Sequence, residues 1–318
     1  MDALLLTGID YANTGYRFMQ SLKSLGLNVE MYKRYRHIFE YPAQAVVEKD
    51  RKTLRKKAEQ SKVVHFVHSQ FVDTGAVLKS KSVVAQHGGS RYRNEHKELN
   101  AFFNPIVQAT IIQTPDLLGL GAKNESYIVS PVDTDKLPPI FPRCDPKVLH
   151  IGHFPSDSVI KGTATILSVL DRLKDMGLGN RFHYVGLTQD APVTWEENLE
   201  RVRHCDILIE TCNSVLDGHN FGEWGNAALE GASLGKIVVT NCQSQAVYES
   251  VYGPIGLQIA NDEAKLLDAL IRLLNLSDGE VQVLREETRT WVERNHGLKA
   301  TGKRLWRRVY RSLLGTKA

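Results

Sequence analysis

Cysteine, long apolar runs and net charge are all in short supply in this 318-residue chain. Cys144, Cys205, Cys212 and Cys242 form no C-x-x-C pair and have no neighbouring histidine at zinc-finger spacing. That favours reduced thiols in a cytoplasmic setting over disulfides or structural zinc. No stretch approaches the roughly 18 consecutive apolar residues of a membrane span. The start, Met1-Asp2-Ala3-Leu4-Leu5-Leu6-Thr7-Gly8, lacks a basic region followed by a long apolar one, so the expectation is a chain neither secreted nor membrane-spanning. The 42% of hydrophobic and 24% of charged residues are those of a globular protein. The length suggests two units of roughly 150 residues each.

The net charge of +4 hides a segregation. Residues 1–144 carry 20 basic and 14 acidic side chains, residues 145–296 carry 13 and 22, and residues 297–318 carry 7 and none. Short apolar runs alternate with helical patterns throughout, which predicts an α/β fold of parallel sheets covered by helices. A strand at Ala3–Thr7, a loop holding Gly8 and Gly15, a helix with Phe18, Leu22 and Leu25 on one face, and a strand at Asn28–Tyr32 make a βαβ unit. Further strands are expected at Val63–Val67, Ser82–Gln86 and Thr110–Thr114. Pro138, Pro139, Pro142 and Pro146 then crowd nine positions, and 136–146 reads as a stiff linker because proline supplies no N–H. The pattern restarts with strands at Val148–Gly152, Phe182–Val185, Asp206–Glu210 and Ile237–Thr240 and helices near Gly162–Met176 and Asn226–Leu234. Two domains, 1–140 and 147–296, are expected to face each other across a cleft. A basic amphipathic helix within 297–318, with Leu305, Trp306, Val309, Tyr310 and Leu313 on its apolar side, is expected to bridge them.

Chemistry concentrates in a few segments. Asn220-Phe221-Gly222-Glu223-Trp224-Gly225-Asn226-Ala227 is a glycine-rich turn opening a helix that carries Glu230 and ends in Gly235 before a buried strand. Free amides at a helix start bind phosphate. A carboxylate one turn further in accepts hydrogen bonds from a vicinal diol, so the pair describes a nucleoside diphosphate with its ribose. Lys161-Gly162 at a second helix start adds a full positive charge. His68 ends the strand run Val63–Val67, and Gln86-His87-Gly88-Gly89-Ser90-Arg91 ends the next. Asp133-Thr134-Asp135, formally a metal-binding pattern, precedes the proline cluster and reads as a turn; Gly119-Leu120-Gly121 lacks the strand and spacing of a dinucleotide fingerprint.

The segment from Trp224-Gly225 through Glu230-Gly231-Ala232-Ser233-Leu234-Gly235-Lys236-Ile237-Val238-Val239 resembles the donor site of retaining GT-B glycosyltransferases, family four-like ("glycosyl transferases group 1"). The stretch His150–Thr163, with Lys161-Gly162, is similar to the family's first strand and loop of the second domain. The likeness spans residues 1–296 and is strongest over 148–240. It implies two Rossmann-like domains, an N-terminal acceptor domain and a C-terminal nucleotide-sugar domain. It assigns catalysis to His68, Lys161 and Glu230. Donor binding falls to Gly15, Lys161, Gly222, Glu223, Trp224, Gly225, Asn226, Ala227 and Glu230, and sugar or acceptor contacts to His87, Gly88, Ser90 and Arg91. Gly222 stands where the family has its first glutamate, and Glu223 lies one place late, so backbone amides, Asp217, His219 or Asn220 are the alternative contacts. No arginine precedes Lys161 after Lys147, so one phosphate contact of the family is absent.

No cofactor and no metal is expected; the nucleotide-diphosphate sugar is a co-substrate. Basic residues at Lys33–His37 and from Lys49 to Lys57 are interleaved with aromatics and suggest an anionic acceptor. A lipid-linked or membrane-surface acceptor ranks before nucleic acid, since no aromatic-and-glycine nucleic-acid module is visible. The expected location is cytoplasmic, peripheral at the inner membrane face. Rival readings are a nucleotide-sugar epimerase or phosphorylase of the same fold, a non-catalytic sugar-nucleotide-binding subunit, and a DNA-modifying glycosyltransferase.

Overall fold

Ala3–Ile9 forms the first strand, β1, and its first five side chains are buried. Both faces of such a strand are covered, so its sequence is a continuous apolar run instead of an alternation. Ala3 and Leu5 enter one layer of the core, with Phe18, Leu22, Val84 and Ile111. Leu4 and Leu6 enter the other, with Leu54, Phe66 and Phe103. The structure, a computed structural model, describes residues 1–141, 143, 145, 147–188, 193–216, 219, 220 and 223–315, without the side chains of residues 216, 219 and 220.

After β1 come α1 (Thr14–Lys23), β2 (Val29–Tyr35), β3 (Val46–Val47), α2 (Arg51–Gln60), β4 (Val63–Phe66), β5 (Ser82–His87), α3 (Gly89–Phe103), β6 (Ala109–Ile112) and β7 (Glu125–Tyr127). The seven strands pair in the order β3-β2-β1-β4-β5-β6-β7, all parallel. Strand order reverses between β1 and β4, the place where open sheets of this kind leave a crevice beyond the strand ends. Helix α3 was not foreseen, although Tyr92, Leu99 and Phe103 bury one face of it at the spacing a helix requires.

The second unit contains β8 (Leu149–Gly152), α4 (Ser158–Lys161), α5 (Thr163–Leu173), β9 (Phe182–Tyr184), α6 (Trp195–Arg203), β10 (Ile207–Ile209), the antiparallel pair β11 (Val215–Leu216) and β12 (His219–Asn220), α7 (Asn226–Ser233), β13 (Ile237–Thr240), α8 (Gln245–Tyr252), β14 (Gln258–Ile259), α9 (Glu263–Leu274) and α10 (Asp278–His296). Its sheet runs β14-β13-β10-β8-β9, again parallel. Order reverses between β8 and β10.

The chain divides at 131/132 and again at 295/296, not at 140 and 147. The proline-rich stretch expected to be a linker is a strap fixed to the second unit. Proline cannot join a ladder, so the carbonyls around it need donors from elsewhere. Two arginines of α10 supply them: Arg285, fully buried, donates to the carbonyls of Ile140, Phe141 and Gly235, and Arg289 donates to those of Thr134 and Leu137. Pro142, Cys144 and Pro146 lie outside the described residues.

The C-terminal residues belong with the first unit. Helix α11 (Leu298–Leu305), a wider turn at Trp306–Tyr310 and α12 (Arg311–Leu314) place Leu305, Val309 and Tyr310 in the core beside Phe18 and Leu22. The first unit therefore carries 25 basic and 12 acidic side chains, and the second 15 and 24.

Candidate functional site

In the first unit, the ends of β1 and β4 meet at the reversal of strand order. Four non-glycine residues there have left-handed backbone: Ala12 (φ 51°), Asn13 (φ 55°), His68 (φ 58°) and Ser69 (φ 57°). Each such residue costs energy and persists only where its surroundings impose it, and such outliers gather at ligand sites. Asp10, buried just past β1, organises the place. Its Oδ1 accepts the Gly15 amide at 2.7 Å and lies 3.0 Å from His68 Nε2, and its Oδ2 accepts the Tyr16 amide at 3.0 Å. The carboxylate thus caps the start of α1, where the helix dipole favours negative charge. The Tyr11 ring meets the His68 ring edge-on at 5.5 Å. Gly15 packs closely here: a Cβ would stand 2.4 Å from Met31 Cε and 3.0 Å from Asp10 Oδ1. Its amide, expected to face donor phosphate, is given to Asp10.

Lys33, buried nearby, donates to Gln44 Oε1. Burial pushes its ammonium below the ordinary lysine value, with Asp10 pulling the other way. His87, expected to touch sugar or acceptor, is fully buried. It stacks on Tyr92 at 4.2 Å and holds Ser69 Oγ at 2.8 Å, so it supports the strained turn instead of facing a ligand. Burial lowers its pKa to about 3. Gly88 packs against Gln113, whose Oε1 would lie 2.3 Å from a Cβ there. Ser90 and Arg91 are exposed on α3, and Arg91 Nε donates to Glu95 at 3.1 Å. His65, inside β4, is buried and bonded to the Tyr310 hydroxyl at 2.7 Å.

The second unit repeats the arrangement with different chemistry. Lys161 ends α4 past β8, and its ammonium binds the Glu210 carboxylate at the end of β10. Glu210 is almost fully buried and also accepts the Thr240 hydroxyl at 3.0 Å. Gly162, in left-handed backbone (φ 71°), lets α4 stop against the chain: a Cβ there would stand 2.3 Å from the Cys212 carbonyl oxygen. His153, lowered to about 4 by burial, is fixed between the Ile209 carbonyl and Thr163.

Gly225 is the N-cap of α7 and brings no side-chain cap to its amides. A Cβ on Gly225 would lie 3.0 Å from Glu210 Oε1 and 3.5 Å from Lys161 Nζ. The lysine charge thus stands at the start of α7, beside the Asn226 and Ala227 backbone. About one turn of helix further, Glu230 is buried and accepts the Trp195 indole N–H at 2.9 Å.

Two residues expected to contact the donor have partners within the second unit. The Trp224 side chain is buried against Tyr248 (4.9 Å) and Trp291 (6.1 Å), and so serves the core. Glu223 Oε2 accepts from Cys242 Sγ at 3.3 Å and pushes that thiol up, after burial itself. Gly222 and Asp217 lie outside the described residues, as do the side chains of His219 and Asn220. Asp10, Glu210 and Trp195 escaped sequence reasoning. The only signal for the first two was an acid directly after an apolar strand.

Burial raises the Cys205 and Cys212 thiols to about 12, which makes them poor nucleophiles. Asp133 accepts the Lys136 amide in a turn. Among the described residues, no three His, Cys, Asp or Glu gather into a metal site, and no helix is long and apolar enough to cross a membrane.

No protein-family model matches the chain, and no curated protein matches it in sequence. Solved structures do. HepE from Anabaena, in complex with UDP and glucose, superposes with a TM-score of 0.58 over 95% of this chain and 97% of that one, at 11% identity. The sucrose-phosphate synthase of Thermosynechococcus elongatus gives 0.58 over 98% and 99%, at 13% identity. WaaG, a glycosyltransferase involved in lipopolysaccharide biosynthesis, gives 0.53 over 99% and 100%, at 12% identity. The fold is GT-B. Within the GT-B fold the two Rossmann-like units each set a pair of polar residues where strand order reverses, Asp10 and His68 in one and Lys161 and Glu210 in the other.

Proposed function

We propose that this chain is a metal-independent retaining glycosyltransferase, a hexosyltransferase that moves a sugar from a nucleoside diphosphate sugar to an anionic, lipid-linked or glycan acceptor. The observation that carries the reading is Lys161 Nζ at the uncapped start of α7, within 3.5 Å of where a Gly225 side chain would be. An ammonium beside a helix start is a fixed positive charge for the charge that grows on a departing diphosphate. Glu210 keeps the lysine in place. HepE was solved with UDP-glucose, which makes UDP-glucose the first donor to try.

On this reading Glu230 holds the ribose, and His68 with the Gly88–Arg91 turn orients the transferred sugar. The acceptor hydroxyl attacks on the face from which the diphosphate leaves and gives its proton to a phosphate oxygen. The 25 basic against 12 acidic side chains of the first unit support an anionic acceptor, presented at the inner membrane face of the cytoplasm.

The test is a panel of nucleoside diphosphate sugars, first by thermal shift and then by transfer of labelled sugar. Binding raises apparent stability as RT ln(1 + [L]/Kd), so one donor should raise Tm in a concentration-dependent way. It should then release nucleoside diphosphate with the sugar retained in configuration, in the presence of EDTA. No stabilisation by any donor would sink the assignment. Stabilisation without transfer to any acceptor would favour a binding subunit, and an inverted product would remove retention.

A further inference from the structure

A cavity of about 400 Å³ opens in the first unit, lined by Gly8, Arg34, Tyr35, Arg51, Phe71, Val72 and Asp73. Gly8 lies near the end of β1, Arg34 and Tyr35 end β2, Arg51 begins α2, and Phe71 to Asp73 follow β4. The pocket therefore sits at the carboxyl edge of the sheet, where parallel sheets receive ligands.

Its charge is unbalanced. Arg51 Nη2 binds Asp73 Oδ2 at 2.7 Å, with both side chains about 60% exposed. Arg34 is half-buried and its guanidinium has no hydrogen-bond or ion-pair partner among the described residues, although its charge reaches Asp73. Two guanidinium groups thus line the pocket with one carboxylate, which is paired to Arg51. An exposed ion pair of this kind contributes little, so Arg51 exchanges Asp73 for a stronger anion at small cost. A monoanionic carboxylate offers nothing Asp73 does not already give. A phosphate monoester brings a second negative charge and the oxygen geometry that a guanidinium fork fits.

The walls beside this charge are aromatic. Tyr35 is 57% and Phe71 41% exposed, and Phe71 is held against Phe66 at 4.9 Å and Phe102 at 5.0 Å. Exposed rings, one of them held in place, suit the body of a ligand whose phosphate is held by the arginines.

We propose that this pocket binds a phosphate monoester group carried on an apolar or sugar body, as the subsite that captures the acceptor. Its role in acceptor capture rests on the transferase reading above; the binding itself does not. Two probes, phenyl phosphate and glucose 6-phosphate, are titrated calorimetrically into the full chain with UDP held at saturation, so that neither reports on the second unit. At least one should bind saturably in the micromolar to low millimolar range. Preference for phenyl phosphate assigns an apolar carrier, and preference for glucose 6-phosphate a glycan. Arg34→Ala and Arg51→Ala should each weaken it tenfold or more, Asp73→Asn should tighten it several-fold, and Lys56→Ala, elsewhere on α2, should leave it unchanged. Unaltered Tm and UDP-glucose affinity in the arginine variants would show that they fold. No saturable binding of either probe, or binding indifferent to Arg34 and Arg51, overturns the proposal and leaves the donor assignment standing. Loss of UDP-glucose binding in the unsubstituted chain would instead strike the transferase reading alone.

Discussion

Asp10 accepts the His68 ring N–H at 3.0 Å with the same oxygen that takes the Gly15 amide at 2.7 Å. A carboxylate only accepts hydrogen bonds, so Nε2 carries a proton directed at Asp10. The histidine is thereby held in one orientation at the strained end of β4.

Asp10→Asn tests that relationship. The amide has one acceptor oxygen for three donors, Gly15 N–H, Tyr16 N–H and His68 Nε2–H, so a buried donor goes unpaired at a cost of about 1–3 kcal/mol. The urea midpoint should fall accordingly. Glycosyl transfer should fall by more than the folded fraction does, while UDP-glucose affinity, assigned to the second unit, stays the same. Wild-type stability and turnover in this variant would remove Asp10 from the site.

Lys161→Ala should raise the Kd for the donor about tenfold or more, the loss of a charged hydrogen bond of about 1.5–3 kcal/mol. It should also lower Tm, because Glu210 is left buried without its cation. The double variant with Glu210→Gln separates the two effects. Stability should return and affinity should not; recovery of both would mean that Lys161 only neutralises Glu210.

Close packing of α1 and α11 makes a contrast between two glycines. A Cβ at Gly302 would stand 2.2 Å from the Ser21 carbonyl oxygen, so Gly302→Ala should destabilise the first unit by about 1–3 kcal/mol through overpacking. Gly279, in α10, has nothing within 4 Å of such a Cβ. Gly279→Ala should stabilise by about 0.5–1 kcal/mol through helix propensity and chain entropy. Denaturant titration of both variants checks the pair, and equal shifts would contradict the packing.

Burial pushes His65, His87 and His296 down to about 3 and His153 to about 4. Each stays neutral in the folded chain while its unfolded counterpart titrates near 6.5. Below that pH the unfolded state binds more protons, so the stability these groups preserve above pH 6.5 is lost as pH falls toward 4 to 3. The slope is up to about 1.4 kcal/mol per pH unit for each histidine. Three of the four belong to the first unit, so hydrogen exchange at pH 5 should loosen that unit first. Uniform loosening, or a flat profile from pH 7 to 5, would contradict these environments.

Parallel strands, the strand-end position of His68 and the Lys161-Gly162 helix ends were legible in the sequence because they are local. A β-branched run, a glycine that must be left-handed, or a charge at a helix end shows itself within a few residues. The likeness around Glu230 was legible for the same reason. Helix α3 was present in the spacing of Tyr92, Leu99 and Phe103, but attention to its first turn as a ligand contact obscured it.

Partnership was decided by the tertiary structure. Asp10 lies 58 residues from His68, Lys161 49 from Glu210, and Trp195 35 from Glu230. Each pair is brought together by the order in which parallel strands and their crossover helices dock. The same docking buried His87 and Trp224, tied the proline strap to Arg285 and Arg289, and sent the C-terminal helices into the first unit. Periodicity tells which face of an element is apolar and where a helix starts. What that face packs against, and which buried charge finds which partner, is set by contacts between distant segments that no local pattern contains.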